Sequence, residues 1–326
     1  MDLSFTAKEQ AFAEDVRAWL AANLELPPRF ESLDDEIEWG RAWQAKLAAG
    51  RWVGIHWPAE YGGRGASPVQ VAIFNMEYAR SRALQPVNRV GINLAGPTLL
   101  AHGTEEQKQR WLPPILDARE LWCQLFSEPG AGSDLASLRT RAVRDEGGWL
   151  LSGQKVWTSY ARHARWGICL ARTDPDAPPH RGIGCFLVDM RSRGIEVRPL
   201  RELTGTAMFN EVFLTDVVVP DGCVVGSPTA GWACARTTLA NERVSMASGS
   251  SFGPGVAALF DLAGTEGVTD DPLVRDLLGR LVVDAHAVAA LGLRTTLRAV
   301  GGAQPGPEAS VRKLAAAEHD QAVPDG

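Results

Sequence analysis

The sequence lacks most of the features that assign a chain quickly. Its five cysteines, at 123, 169, 185, 223 and 234, are an odd number with no C-x-x-C pair. Most sit in apolar runs such as Gly167-Ile168-Cys169-Leu170, so buried reduced thiols are expected rather than disulfides or thiolate metal ligands. The six histidines are scattered without an H-x-x-x-H or H-E-x-x-H spacing, and no metal site is expected. No apolar run is long enough to span a bilayer, and Met1-Asp2-Leu3 leads into polar helix residues instead of a signal-type apolar segment, so a cytoplasmic protein is expected. Lys and Arg are dispersed and the net charge is only −6, which argues against a nucleic-acid surface.

What is present is a globular composition, 45% hydrophobic over 326 residues, enough for two or three packed units. Thr6 and Glu9 form a capping box ahead of Phe12, Val16, Trp19, Leu20 and Leu24, which share one helical face before Pro27-Pro28. A second helix is predicted over 34–49, closed by Gly50, and further helices over 68–82 and 92–101, the latter nearly free of charge and so buried. Thr104 and Gln107 cap another, which Pro113-Pro114 should break. From Leu121 the period changes to alternation. Strands are predicted over 121–127, 138–144, 149–161, 166–172, 182–190, 195–200 and 209–219, with a hairpin turn at Asp145-Glu146-Gly147-Gly148. After Gly231 the pattern is helical again, over 232–248, 256–262, 272–296 and 307–322. The expected fold is α+β: a helical domain at 1–118, a middle β-barrel or sandwich at 119–222, and a helical domain at 223–326.

The stretch from Leu121 to Ala161 carries the chemistry. Gly130 and Gly132 leave room for close approach, Pro129 stiffens the entry, and Ser127, Ser133 and Asp134 add polar groups. Trp157 offers a flat apolar face beside the donors Thr158 and Ser159, which suits a planar, polar-edged heterocycle. Taken alone, the loop also fits a surface turn between strands.

Two motifs here resemble those of the acyl-CoA dehydrogenase family: Phe126-Ser127-Glu128-Pro129-Gly130-Ala131-Gly132-Ser133-Asp134, and Gly153-Gln154-Lys155-Val156-Trp157-Thr158-Ser159. The loop Pro58-Ala59-Glu60-Tyr61-Gly62-Gly63-Arg64-Gly65 is similar to a third family feature, and the helical–β–helical order matches over the whole length. The resemblance implies FAD, an acyl-CoA substrate, α,β-dehydrogenation to a 2,3-enoyl-CoA as in lipid or fatty-acid β-oxidation, and an electron-transfer flavoprotein as acceptor. It places Gln124, Leu125, Phe126, Ser127, Gly132 and Ser133 along the flavin, with Phe126 and Ser127 nearest the ring and Ser133 also meeting the acyl-CoA. Trp157, Thr158 and Ser159 would cover the ring's other side. Leu239-Ala240-Asn241-Glu242-Arg243-Val244 resembles the helix that carries the base in some relatives, which makes Glu242 the catalytic candidate and Arg243 a substrate or helix-orienting residue. His56 is read as structural and Asp134 as a loop cap. The match stops short of a final pair of family helices, and the family's Arg-x-x-Phe-Gly segment does not follow Leu262; Arg275 and Arg280 are possible replacements, better read as solvated. A homo- or hetero-oligomer is implied. Two other readings stand beside the dehydrogenase: a non-catalytic FAD- or acyl-CoA-binding subunit, and an oxidase of the same fold. The acyl chain, straight, branched or steroid, is left open.

Overall fold

The computed structural model describes residues 5–203, 205–246, 253–300, 306 and 308–325. Among them a helical segment, a curled sheet of seven strands and a second helical segment follow one another. That is the α+β order the sequence implies.

Helices start where a side chain can satisfy the first free N–H groups. At α1 (Ala7–Asn23) the Glu9 N–H donates to Thr6 Oγ1 at 3.3 Å and the Thr6 N–H to Glu9 Oε2 at 2.7 Å. Ser32 caps α2 (Leu33–Ala49), and Ser67 with Gln70 boxes α3 (Pro68–Arg80). Thr104 and Gln107 do the same for α5 (Glu105–Leu116). Two helical expectations need correction. Pro113 and Pro114 lie inside α5 and do not break it. Their missing N–H groups fall late in the helix, and the next carbonyls, of Ile115 and Leu116, each accept from Gln44 Nε2 at 2.9 Å. The single helix expected over 92–101 is instead a π-turn, Gly91–Ala95, feeding α4 (Gly96–His102). Gly96 is required there: a Cβ would lie 2.2 Å from the ring of the fully buried Trp57.

The chain packs as two compact units that interleave along the sequence. One comprises Pro27–Gly65 and Leu84–Asn241 and holds the sheet. In it β1 (Trp122–Leu125) runs parallel to β4 (Trp166–Arg172), whose other neighbour is the antiparallel β5 (Ile183–Asp189). Arg172 of β4 also meets Arg141 of β2 (Arg141–Asp145), and β3 (Gly148–Ser159), β7 (Phe209–Pro220) and β6 (Ile195–Pro199) follow in an antiparallel series. β4 and β5 are buried on both faces, which is why they read as unbroken apolar runs. Leu125, Leu151, Phe186, Val188, Val212 and Val217 form the core. β1 is fixed from below by Asn88: its Oδ1 accepts from the Trp122 N–H at 3.0 Å, while its Nδ2 donates to the carbonyls of Ile115 and Glu120. The start of the polar loop that follows β1 is therefore set by a buried amide.

The other unit comprises Met1–Leu26, Ala66–Ala83 and Glu242–Gly326. Here α3 packs on α1 and on α8 (Pro272–Val300), and α9 (Glu308–Asp325) packs on α8 and α7 (Gly253–Thr265). Buried Glu77 of α3 pairs with Arg17 at 3.3 Å and Arg80 at 2.9 Å. α6 (Gly231–Met246) passes from the first unit to the second at Asn241 and Glu242. Its expected end at Ser248, and the start of the last helix at Pro307, lie outside the described residues. Among the described residues no helix is long and apolar enough to cross a membrane.

Candidate active site

The loop after β1 folds back on itself at once. The N–H of Glu128 donates to the carbonyl of Ala131 at 2.9 Å, and that of Ala131 to Glu128 at 3.1 Å. Beyond this turn Gly132, Ser133 and Asp134 are exposed, and a short 3-10 turn, Leu135–Ser137, returns the chain to the sheet. Asp134 caps that turn through its carbonyl, which accepts from the Ser137 N–H and hydroxyl; its carboxylate makes no capping bond. No hydrogen bond among the described residues engages the N–H groups of Gly130, Gly132, Ser133 or Asp134. A Cβ added to Gly130 or Gly132 would meet nothing within 4 Å, so the protein itself does not demand glycine there. Open space and free backbone donors together make an edge-binding surface for a polar ligand.

The loop is tied to β3. The Val156 N–H donates to the Ser127 carbonyl at 2.9 Å, and Lys155 Nζ donates to the Phe126 carbonyl at 3.0 Å and to Glu128 Oε1 at 2.9 Å. Lys155 has no exposed surface and Glu128 is 8% exposed. Glu128 also accepts from the N–H groups of Arg139 and Thr140, at 2.6 and 2.9 Å. Burial pulls the Glu128 carboxyl's pKa upward, but the Lys155 charge and these donors outweigh it and hold the group below the usual carboxylate value.

Just past Lys155 the register with β7 slips by a residue, between the Lys155–Val212 and Thr158–Asn210 pairs. Trp157 in that bulge has φ 59°, a left-handed conformation a bulky residue seldom adopts. The result is a tryptophan 63% exposed at the sheet surface, held edge-on by Phe209 with ring centroids 5.9 Å apart. Thr158 next to it is 1% exposed, and its hydroxyl has no partner among the described residues. Ser159 is half-buried.

The structure thus brings together, in one unit, most of the residues singled out from the sequence. Ser127 and Gln124 are half-buried at the loop's root, whereas Leu125 and Phe126 are buried, at 0% and 3% exposure. Leu125 belongs to the sheet core, so a ligand would meet its backbone. Glu242 lies on α6 in the other unit, half-buried, with Lys313 Nζ of α9 at 3.9 Å from Oε1. Arg243 follows it on α6, but its side chain lies outside the described part of the structure. Arg275 and Arg280 are exposed, Arg280 pairing with Asp276. His56 stands edge-on to Trp57, centroids 6.4 Å apart. Of the cysteines, 123, 169, 185 and 234 are buried and all five are free; burial pushes Cys169 up to about 11. Lys155 and Glu128, one in each family-like motif, meet in the interior, and a lysine centred in a largely apolar strand is itself a signal of a buried partner.

Comparison with known proteins agrees with this architecture. Residues 6–119, 123–217 and 229–325 match the N-terminal, middle and C-terminal domains of acyl-CoA dehydrogenase. The chain is 54% identical to acyl-CoA dehydrogenase FadE34 of Mycobacterium tuberculosis over 86% of its own length, a match that spans only 39% of FadE34. It is 41% identical to acyl-CoA dehydrogenase IpdE1 of the same organism, over 94% of this chain and 81% of that one. Among solved structures, the Tcur3481–Tcur3483 steroid ACAD superposes with a TM-score of 0.83 at 31% identity, covering 99% of this chain and 84% of that one. The ChsE4–ChsE5 complex from Mycobacterium tuberculosis gives 0.83 at 30% identity, covering 99% and 85%. With its three successive domains matched and its relatives so alike, the chain belongs to the acyl-CoA dehydrogenase family, oxidoreductases that act on CH–CH bonds.

Proposed function

We propose that the chain is an FAD-dependent acyl-CoA dehydrogenase that converts an acyl-CoA thioester to its 2,3-enoyl form and passes the electrons to an electron-transfer flavoprotein. The observation that carries this is Trp157, held outward in a left-handed bulge beside an open, donor-rich glycine loop. The residues fit a flavin. Gly130 and Gly132 leave room that a Cβ would fill, the N–H groups from Gly132 to Asp134 are available to its polar edge, and Trp157 supplies a flat wall. Gln124, Leu125, Phe126, Ser127, Gly132 and Ser133 would hold it from the loop, and Trp157 and Ser159 from β3, with buried Thr158 supporting their backbone. What bound FAD would supply is a planar two-electron acceptor for the hydride leaving the β-carbon.

Glu242 would take the α-proton, a role for which a carboxylate is suited in a site closed to water. It lies on α6 with its side chain 27% exposed and Lys313 Nζ 3.9 Å from Oε1. Arg243 would meet the substrate or orient that helix, and Ser133 would meet the acyl-CoA. The division at residues 118 and 222 belongs to this same proposal. The likeness to a steroid ACAD favours a steroid-type thioester over a straight fatty chain.

A second reading is a subunit that binds FAD or acyl-CoA without turning it over, within a hetero-oligomer. It is favoured by the paired-chain composition of the Tcur3481–Tcur3483 and ChsE4–ChsE5 neighbours. The deciding experiment is the visible spectrum of the chain with FAD, recorded anaerobically before and after straight, branched and steroid side-chain acyl-CoA thioesters. Bleaching by the steroid class supports the first reading. Flavin that binds but is reduced by no thioester supports the second, and no flavin binding at all contradicts the first and leaves the second to acyl-CoA binding alone.

A further inference from the structure

We propose that Lys155 and Glu128 form a positioning clamp that sets the backbone of the cofactor loop, and that neither touches cofactor or substrate. The inference rests on the FAD reading of the loop given above. The two residues sit one in each of the segments that would line the flavin, and they join them through a contact that water does not reach: Lys155 Nζ to Glu128 Oε1 at 2.9 Å, with side-chain exposures of 0% and 7%. The same ammonium donates to the Phe126 carbonyl at 3.0 Å, so it grips the loop's entry as well as its turn. The carboxylate in turn accepts from the N–H groups of Arg139 and Thr140, so it also grips the loop's return. Three passes of the chain, at 126–128, 139–140 and 155, therefore converge on one neutralised pair. What they enclose is the turn whose outer N–H groups are free.

The energetics point the same way. A buried lysine is costly unless paired, and this one secures no residues but those of the loop root. Apolar side chains in place of both residues would fill the space without that cost, and they would leave the Phe126 carbonyl, bound by Lys155, and the Arg139 and Thr140 N–H groups, bound by Glu128, without partners. The pair thus trades stability for a single loop geometry, in which donors at Gly130 and from Gly132 to Asp134 are aimed outward before any ligand arrives. Arg172 adds a tether farther on, donating to the carbonyls of Ala136 and Leu138 at 2.6 and 3.2 Å.

The test uses the full chain and the variants Lys155→Met, Glu128→Gln and Lys155→Met/Glu128→Gln, with Leu47→Ala in the α2 core as a stability control. FAD affinity of the folded apoproteins is measured by fluorescence quenching from about pH 5.5 to 8.5, a range above the ordinary carboxylate value in which only a raised carboxyl titrates. Loop amide exchange is followed by mass spectrometry without FAD. The clamp predicts a loss of FAD affinity of about tenfold or more in each single variant, the fold-change expected when one buried hydrogen-bonded group loses its partner. In Lys155→Met the affinity recovers as pH falls, because a proton then neutralises the stranded Glu128. Exchange over 126–138 accelerates while that of β5 does not. If a single variant fails to fold, the double variant, which buries no lone charge, replaces it. Unchanged affinity and exchange in the folded variants would overturn the clamp, as would an equal loss in Leu47→Ala. Failure of the wild type to bind FAD would instead overturn the FAD reading, with the exchange data still deciding for or against the clamp.

Discussion

Two Lys–Glu pairs in this molecule use the same chemistry for opposite ends. Lys155 and Glu128 are 2.9 Å apart with side chains 0% and 7% exposed, and every described partner of Lys155 is loop backbone or Glu128. Lys313 and Glu242 are 3.9 Å apart with side chains 40% and 27% exposed. A carboxylate held by an ammonium and two backbone N–H groups has its acceptor sites filled, which opposes taking a proton from a substrate. The contrast fits the proposed roles, Glu128 in architecture and Glu242 in chemistry, though both are glutamates within segments that resemble the family's.

The comparison breaks first, and hardest, on stability. Lys155→Met is expected to lose about 3–5 kcal/mol in denaturant unfolding, the usual cost of removing one partner of a buried pair. Lys155→Met/Glu128→Gln should recover part of that loss, and a double variant as unstable as the single would show that packing, not charge, is at issue. The pH dependence sharpens the same point. Glu128 has a folded pKa below its usual 4.5, so its stabilisation is complete above that pH and is lost as the pH falls through the folded value. In Lys155→Met the sign reverses, because burial without the cation raises the carboxyl's pKa and stability grows as the pH falls. Midpoints measured from about pH 2.5 to 8 would show slopes of opposite sign, and parallel slopes would refute the pairing.

Trp157 comes next. Its left-handed backbone has a steric cost that glycine does not share, so Trp157→Gly is expected to gain up to about 1 kcal/mol of stability while FAD binding weakens. Calorimetry and a flavin titration on one sample check both halves, and a loss of stability would mean the ring is a packing residue. The smallest effects belong to the half-buried pair of Lys313 and Glu242. Lys313→Ala should change stability by no more than about 1 kcal/mol, as should Glu242→Gln, against the larger loss from Glu128→Gln.

Much of the fold was legible because periodicity reports burial directly. The seven predicted strand segments each overlap an observed strand, with ends that differ by a few residues, and the capping boxes at Thr6 and Thr104 form as read. The two prolines of α5 misled because their cost falls late in the helix, where Gln44 satisfies the end carbonyls; that partner is far away in sequence. The π-turn at Gly91–Ala95 leads into Gly96, which packs against Trp57, a contact that no local pattern encodes. At the candidate site, the loop and Trp157 could be picked out from residue type, but the bulge that turns Trp157 outward depends on register with β7. The Lys155–Glu128 contact was hidden for a similar reason: it joins positions 27 residues apart whose meeting the sheet decides.

The most direct test of this account sets Glu128→Gln beside Glu242→Gln in one anaerobic flavin experiment. Each protein is titrated with FAD, then with the thioester that bleaches the wild type. The account predicts that Glu242→Gln binds FAD with unchanged affinity and is not bleached, whereas Glu128→Gln loses FAD affinity about tenfold or more. Bleaching of Glu242→Gln at the wild-type rate, or undiminished FAD binding by Glu128→Gln, would contradict it.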